Sequence, residues 1–346
     1  MRLAVVGFGL SGSVFHGPLI TACPDAELSA IVTGNPERQQ QARDSYPDVP
    51  VIPTIDELLQ RSDEFDVLVV ATTNALHVPL SIQALDRGLH VIVEKPMAGT
   101  RAEAESIFEH ADSVGRQVHV FQNRRWDSDF LTVQRILAAG ELGRVHRFQS
   151  AFERFRPETQ QRWRDIGSAD ELPGLLYDLG SHLADQALIL FGPAERVYAS
   201  ARALRAPHLA NDDTLITIEH TSGVISELAV SALAAHLAPR FRVLGNEAAI
   251  TIDGLDEQES ALRDGNVPTD DTWGTTQRTV RFHRGDGEVQ AHPLDRGRWD
   301  VFYPAVASSI AGIGAPPVSP ESAIATITLL EQAATSAQSQ QWVRCS

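Results

Sequence analysis

Residues 3–12 read LAVVGFGLSG, an apolar run followed directly by a loop that carries three glycines. Gly7, Gly9 and Gly12 match the G-x-G-x-x-G pattern in a meaningful context, after a predicted strand and before a predicted helix. The first glycine permits a tight turn, the second lets a pyrophosphate approach the backbone, and the third lets helix and strand pack closely. We predict that this loop, with Leu10, binds a dinucleotide. The alternative is a turn with a purely structural role.

Helix and strand signals alternate after this loop. Asn35-Pro36 predicts a helix start, as do Thr54 and Thr100, each followed three residues later by glutamate. Apolar runs predict strands over residues 3–6, 28–32, 66–71, 90–93 and 118–121. Strands that alternate with helices form a parallel sheet covered on both faces. The sequence therefore predicts an α/β fold that begins with a doubly wound Rossmann domain, residues 1–122.

The pattern changes after residue 122. A helix is predicted over residues 126–139, and residues 253–273 predict a long polar loop. Strand candidates without regular helices between them cover residues 144–154, 196–203, 215–220, 224–230, 241–244 and 249–252. They favour an open, mostly antiparallel sheet in a second, α+β domain, residues 123–346. A final helix over residues 319–338 could pack back on the first domain.

Composition limits the possible partners. A chain of 346 residues usually forms more than one core, which agrees with two domains. The net charge of −16 argues against nucleic acid and anionic membranes, since both attract basic surfaces. Cys23 and Cys345 fit neither a disulfide framework nor a zinc site, and we predict no metal. No apolar stretch could span a bilayer, and folding signals begin at residue 2. We expect a cytoplasmic protein.

The end of the second predicted strand bears on the choice of cofactor. A carboxylate usually stands there to bind the ribose 2′-hydroxyl of NAD, but this chain has Thr33-Gly34-Asn35. No acid is present to repel a 2′-phosphate, and Arg38 lies just beyond. This favours NADP, with Thr33 and Arg38 as contacts. Alternatively, both are ordinary loop and helix-surface residues, and NAD binds through the backbone.

Glu94-Lys95-Pro96 ends the apolar run of residues 90–93. Ligands of parallel sheets bind at the edge where the strands end, so an amine there points toward a site. We predict that Lys95 binds the substrate oxygen electrostatically and that Glu94 and Lys95 also line the cofactor site. The alternative is a surface lysine, and the Lys95-Pro96 bond could be cis or trans.

Asp178 and His182 lie four residues apart in a segment that predicts a helix, residues 177–191. Helical spacing would place both on one face, one turn apart. Oxidising a secondary alcohol requires a base for the hydroxyl proton, and the unperturbed pKa of histidine lies near neutrality. We predict that Lys95, Asp178 and His182 form the catalytic set. The alternative is a capping carboxylate and a core histidine.

Other polar residues follow two further strand ends. Thr72, Asn74 and His77 follow the strand predicted over residues 66–71 and are predicted cofactor contacts, although His77 could simply begin the next helix. The predicted substrate contacts besides the catalytic set are Asn123, Arg125, Trp126, Arg162 and Tyr177. The arginines after the last strand could equally pair with acids such as Asp127 and Asp129, and Arg162 could be structural.

Together these motifs resemble the Gfo/Idh/MocA oxidoreductase family over nearly the whole chain. The resemblance implies that Lys95 and His182 are the catalytic pair and that Asp178 binds substrate hydroxyls. It also implies that the open sheet joins copies into a homodimer or homotetramer. Thr33 departs from the family's usual acid and again indicates NADP. Similarity to the NADP-dependent scyllo-inositol dehydrogenase branch lies in residues 123–132, 154–157, 176–182 and 270–274.

The sequence therefore predicts an NADP-preferring dehydrogenase or reductase. Its substrate would be a secondary alcohol or ketone of a cyclic polyol, such as an inositol, or an aldose. Two alternatives stay open at this point, because a fold does not fix a function. One is a non-catalytic dinucleotide sensor, and the other is a reductase of a non-sugar carbonyl or imine.

Overall fold

The computed structural model describes residues 1–159, 167, 171–205 and 210–345. Its N-terminal sheet has six parallel strands in the order β3-β2-β1-β4-β5-β6. The strands are β1 (Arg2–Val6), β2 (Glu27–Val32), β3 (Val51–Ile52), β4 (Val67–Val70), β5 (His90–Glu94) and β6 (Val118–Phe121). The strand order reverses between β1 and β4, which is where such sheets bind ligands. The predicted doubly wound α/β fold is confirmed, with the two-residue β3 as an unpredicted addition.

Alternate residues of β1 pack into two separate cores. Leu3 and Val5 belong to one buried cluster, while Ala4 and Val6 belong to the other, so both faces of the sheet are covered. A π-helical turn, Ser11–His16, follows β1. The helices that follow are α1 (Gly17–Thr21), α2 (Pro36–Ser45), α3 (Ile55–Leu59), α4 (His77–Asp86) and α5 (Arg101–Ser113).

The predicted helix starts at Asn35, Thr54 and Thr100 are confirmed. Each of these side chains accepts a hydrogen bond from the backbone N–H three residues later. At Thr100 the Glu103 side chain also bonds back to the backbone N–H of Thr100, which completes a capping box. These caps satisfy donors that the first helical turn leaves unpaired.

The second sheet has nine strands in the order β14-β13-β12-β11-β7-β10-β9-β8-β15. Only β7 and β10 pair in parallel, so the predicted open, mostly antiparallel sheet is confirmed. Its strands are β7 (Val145–Glu153), β8 (Ala194–Arg202), β9 (Asp213–His220), β10 (Ile225–Ser231), β11 (Phe241–Gly245), β12 (Ala248–Ile252), β13 (Thr279–Arg284), β14 (Val289–Pro293) and β15 (Val343–Arg344). Its role as an interface between copies stays a prediction.

Two helix predictions in the second half need correction. The helix predicted over residues 177–191 is interrupted at Leu179, and the stretch predicted as a long loop over residues 253–273 contains α9. The helices of this half are α6 (Ser128–Ala138), α7 (Leu175–Asp178), α8 (Gly180–Phe191), α9 (Gln258–Arg263), α10 (Phe302–Ile310) and α11 (Pro320–Ser339).

Two C-terminal helices reach the first sheet. Phe302 and Tyr303 of α10 are fully buried in the same cluster as Leu3 and Val5 of β1. Helix α11 packs against α5 as well as against β8 and α8, and Glu331 accepts a hydrogen bond from the backbone N–H of Arg101. The C-terminal part of the chain therefore covers part of the N-terminal half. A domain boundary at residue 122 stays a prediction.

None of the helices in the described ranges is both long enough and apolar enough to cross a bilayer.

Candidate active site

The glycine loop requires glycine at two of its three fingerprint positions. Gly7 has φ +97°, and a Cβ built on it would lie 2.2 Å from the carbonyl oxygen of Ala71. A Cβ on Gly12 would lie 2.1 Å from the carbonyl oxygen of Gly7. Both distances are impossible for a side chain, so the loop closes only with glycine there. At Gly9 the nearest group to such a Cβ is the Arg38 guanidinium at 3.6 Å, which leaves this part of the loop open.

Arg38 lies at the open side of this loop because α2 begins beside it. The Asn35 side chain caps α2 by accepting from the Arg38 N–H at 3.0 Å, which places Arg38 in the first turn. The Arg38 side chain is exposed and forms no ion pair with the described residues. Thr33 is buried, with its hydroxyl oxygen 3.4 Å from the Asn35 N–H. This arrangement leaves the Arg38 guanidinium accessible beside the open part of the glycine loop.

Glu94 links the glycine loop to the end of β5. It is 8% exposed, and its Oε1 accepts hydrogen bonds from the Ser11 hydroxyl and from His16 Nε2, the latter at 3.2 Å. The other ring nitrogen of His16 lies 2.7 Å from the Tyr303 hydroxyl. Burial alone would raise the pKa of Glu94, but His16, Lys95 and Ser11 together lower it to about 2. Glu94 is therefore a buried carboxylate with partners on three sides.

Lys95 points in the opposite direction, toward the second half of the chain. Its ammonium lies 2.7 Å from the carbonyl oxygen of Asp178 and 2.9 Å from the Oδ1 of the same residue. The two side chains are 11% and 19% exposed, which makes this a largely buried ion pair. The Lys95-Pro96 peptide bond is cis. Lysine has three N–H donors, and Asp178 accepts two of them.

The interruption at Leu179 explains how Asp178 can accept twice. In a continuous helix the Asp178 carbonyl would accept from the His182 N–H. Here the His182 N–H bonds to the carbonyl of Leu179 at 3.2 Å, so the Asp178 carbonyl is available to Lys95 and to the Ser181 hydroxyl. His182 begins the next helix and is 4% exposed. The break thus places a backbone oxygen, a carboxylate and an imidazole within one short stretch.

Asn211 fixes the start of the short helix α7. Its backbone carbonyl accepts from the Leu175 N–H and its side-chain oxygen accepts from the Leu176 N–H, both at 2.9 Å. Gly174 precedes the helix with φ +91°, and a Cβ on it would lie 2.4 Å from the Asn211 amide nitrogen. A helix of four residues needs such support, because it forms few internal bonds of its own.

The predicted cofactor contacts after β4 lie near this site. The Asn74 amide donates to the Leu172 carbonyl at 3.1 Å and so joins the first sheet to the segment before α7. His77 is 1% exposed, begins α4, and holds the Pro96 carbonyl at 2.8 Å through Nδ1. The Thr72 hydroxyl lies 3.4 Å from the neighbouring carbonyl. Contacts of these residues, and of Leu10, with a cofactor stay predictions.

The predicted substrate residues after β6 differ in whether their polar groups already have partners within the protein. The Asn123 amide has no hydrogen-bond partner in the described part of the chain, although the residue is only 5% exposed. Arg125 instead forms two hydrogen bonds with the buried carboxylate of Asp185, at 2.8 and 2.5 Å. Arg124 pairs with Asp127 at 3.2 Å, as the structural alternative anticipated. A further hydrogen bond from Arg125 goes to the Ser322 hydroxyl. A substrate role for Arg125 stays a prediction, but three of its donors are already bound within the protein.

Trp126 and Tyr177 are both partly buried. Trp126 packs edge to face against Phe302, with ring centroids 5.8 Å apart. Burial raises the pKa of Tyr177, and the charges of Glu331 and Glu103 raise it further. Substrate contacts by these two residues stay predictions. Arg162, with Trp163 and Arg164, lies outside the described residues.

Two family models match the sequence. One, described as an oxidoreductase family with an NAD-binding Rossmann fold, covers residues 1–122, and the GFO/IDH/MocA C-terminal domain covers residues 130–251. The chain belongs to the Gfo/Idh/MocA oxidoreductase family. The sensor alternative therefore gives way to an enzyme, and the family resemblance in the motifs is confirmed.

Relatives extend over the whole chain. It is 33% identical over 339 residues to the scyllo-inositol 2-dehydrogenase (NADP(+)) IolW of Bacillus subtilis, covering 96% of this chain and 92% of that protein. It is 34% identical over 334 residues to the uncharacterized oxidoreductase YdgJ of Escherichia coli, covering 96% and 94%. A solved structure of the oxidoreductase yvaA from Bacillus subtilis superimposes with a TM-score of 0.93 at 32% identity, covering 100% and 98%.

Several residues that build this family site carried little signal in the sequence. Ser11 lies inside the glycine fingerprint, and its hydroxyl could have been considered there as a hydrogen-bond donor. His16 meets Glu94 across a separation of 78 residues and Tyr303 across a separation of 287 residues, which no local pattern reveals. Asn211 precedes a strand, and its capping of α7 depends on the folded arrangement.

Proposed function

We propose that this oxidoreductase prefers NADP and transfers hydride between nicotinamide and a secondary alcohol or ketone of a cyclic polyol or aldose. The contact that carries the proposal is the double hydrogen bond of the Lys95 ammonium to Asp178. It fixes a cation at the end of β5, held by a residue that lies four positions before His182 in the sequence. The inositol and NADP in the name of IolW agree with this assignment.

Lys95 would bind the reacting oxygen through its third N–H. Two donors are directed to Asp178, and no acceptor in the described part of the chain takes the third. A cation at that oxygen stabilises the negative charge that develops when a hydroxyl loses its proton or a carbonyl is reduced. Asp178 keeps the ammonium in place, so that little reorganisation is needed during reaction.

His182 would exchange the proton. It takes the hydroxyl proton in oxidation and returns it to the carbonyl oxygen in reduction, which suits an imidazole near neutral pH. When bound, the nicotinamide accepts the hydride in oxidation and supplies it in reduction. Asn123 lies in a segment that packs against the helix of His182, and its amide, which no described residue binds, would orient a neighbouring hydroxyl.

The preference for NADP rests on Arg38 and Thr33. A guanidinium beside the open part of the glycine loop can form two parallel hydrogen bonds with a phosphate. Thr33 leaves the 2′-position without a repelling carboxylate. The 2′-phosphate would therefore bind between the loop and the first turn of α2.

A substrate panel tests the proposal. Cyclitols and aldoses are assayed with NADP and NAD, and the matching ketones with NADPH and NADH, by nicotinamide absorbance. We expect turnover of at least one polyol and a higher kcat/KM with the phosphorylated cofactor. Absence of turnover across the panel would overturn the substrate class, and a strong preference for NAD would overturn the cofactor assignment alone.

A further inference from the structure

Three guanidinium groups surround the buried ring of Phe152. The Cζ atoms of Arg124, Arg154 and Arg240 lie 4.8, 5.0 and 5.8 Å from the centre of this ring. The ring face attracts each cation, but it does not neutralise the charge or satisfy the N–H donors. Three like charges held this close require acceptors of their own.

Two of the three have such acceptors inside the protein. Arg124 donates to Asp127 at 3.2 Å and to Glu259 at 3.1 Å. Arg240 donates to the Ser150 hydroxyl at 2.5 Å and to the Gln186 side-chain oxygen at 2.7 Å. These two arginines are almost completely buried, which agrees with a structural role.

Arg154 differs from both. It is only partly buried, and its guanidinium forms no hydrogen bond or ion pair with the residues that the structure describes. Its position is nevertheless fixed, because its backbone N–H donates to Ser231 at 2.8 Å and its carbonyl accepts from Ala234 at 3.1 Å. The backbone of Arg154, which directly follows β7, is therefore held by two hydrogen bonds, while its guanidinium has no hydrogen-bond acceptor among the described residues.

The cluster around Phe152 places Arg154 near the helix that carries His182. Gln186, one turn after His182 on α8, donates to the Arg124 carbonyl at 2.9 Å and accepts from Arg240 at 2.7 Å. Burial lowers the pKa of Arg154, the positive charge of Arg156 lowers it further, and Glu259 and Asp178 act in the opposite direction. Asp178 is the residue that holds Lys95. Arg154 thus shares the Phe152 ring with two arginines that contact α8, the helix of His182.

We propose that Arg154 is a further substrate-binding residue, and that its guanidinium binds two neighbouring oxygen atoms of the substrate. This assignment rests on the function proposed above and deepens it. A guanidinium presents pairs of parallel donors, which match either two adjacent hydroxyl oxygens or the two oxygens of a carboxylate. The substrate oxygens would supply the acceptors that Arg154 lacks in the protein.

The test compares Arg154→Gln and Arg154→Lys with Arg156→Gln, an exposed neighbour that serves as the matched control. Three substrates are used: a cyclitol with adjacent hydroxyls, its deoxy analogue that lacks one of them, and a sugar acid. KM and kcat are measured for each, together with the KM for NADPH and the melting temperature. We expect Arg154→Gln to raise the KM for substrate at least tenfold, with the KM for NADPH and the melting temperature unchanged.

The variants distinguish pairing from charge. Arg154→Lys keeps the charge but loses the paired donors, so we expect it to restore little of the binding. Arg156→Gln should stay within twofold of wild type. A loss confined to the cyclitol, and absent from the deoxy analogue, identifies adjacent hydroxyls. A loss confined to the sugar acid identifies a carboxylate.

Unchanged substrate KM in Arg154→Gln would overturn the assignment while leaving the proposed function intact. Absence of turnover in wild type would instead count against the proposed function. In that case, calorimetric titration of wild type and Arg154→Gln with the cyclitol and the sugar acid, in the presence of NADP, decides the role of Arg154. Equal binding by both proteins, or binding by neither, would overturn it.

Discussion

Replacing Asp178 by Asn tests the contact on which the site depends. The Lys95 ammonium bonds to the Asp178 carbonyl at 2.7 Å and to its carboxylate at 2.9 Å, and only the second bond is sensitive to the side chain. Asn still accepts from the charged ammonium but removes the negative partner charge, which should weaken a bond worth about 1.5–3 kcal/mol by roughly half. The difference of about 1–1.5 kcal/mol corresponds to roughly a five- to tenfold loss of kcat/KM.

Asp178→Ala removes the side-chain bond entirely, so its loss should be larger, about ten- to a hundredfold. The assay is NADPH absorbance with the best substrate of the panel, alongside melting temperatures. Glu219→Gln is the control, because it disrupts an ion pair with Arg196 of similar length, 2.7 Å, on an exposed part of the second sheet. It should change kcat/KM less than twofold. Equal activity in wild type, Asp178→Asn and Asp178→Ala would refute the reasoning.

Three other perturbations have definite expected outcomes. His182→Ala should lower kcat at least about a hundredfold, as loss of a general base usually does, and near-normal turnover would reject its role. Arg38→Ala should raise the KM for NADPH at least about tenfold and leave that for NADH unchanged, whereas equal effects on both cofactors would contradict the 2′-phosphate contact. Asp129→Asn should reduce the pH dependence of stability. Burial raises the pKa of Asp129 to about 6 despite the nearby Arg240, so the folded protein binds a proton that the unfolded chain has released. The melting temperature of the wild type should therefore rise as the pH falls from 7 to 5. An undiminished slope in this variant would show that other groups cause it.

Matched controls are available for these experiments. Arg43 lies exposed on the same helix as Arg38, so Arg43→Ala should leave both cofactors unaffected. His146 is exposed on β7 and serves as the control for His182. Glu94 does not interfere with the pH experiment. Its pKa of about 2 makes it contribute stability that is lost only as the pH falls below the ordinary range of glutamate.

The fold was predictable where burial dictates the sequence. Strands of the first sheet are apolar along their length because helices cover both faces, and β4 is buried at every position. The edge strand β14 was missed because all five of its residues, Val289–Pro293, are exposed and therefore show no hydrophobic pattern. The short β3 and β15 have two residues each, too few for any periodicity.

Site residues could be proposed from the sequence only where the chemistry of the side chain suggests a catalytic role. Lys95 and His182 could be proposed from chemistry and from the family resemblance. The break at Leu179 could not, because leucine fits a continuous helix and the carbonyl freed there bonds to Lys95, which is 83 residues away in the sequence. The ion pair between Arg125 and Asp185 could not be predicted either, because its partners are 60 residues apart in the sequence.

Adjacent residues at the end of β5 have consequences for redesign. Glu94 faces the glycine loop and Lys95 faces α7, so a substitution at Ser11 reaches the substrate half through a single peptide unit. A substitution at Ser11 should therefore change the KM for the cofactor and the KM for the substrate together. Among the described residues, Thr33 and Arg38 bond to the loop after β2, to α2 and to Ile52 of β3. An engineer who wishes to exchange one nicotinamide cofactor for the other, without disturbing the polyol, should begin with these two residues and leave Ser11 alone.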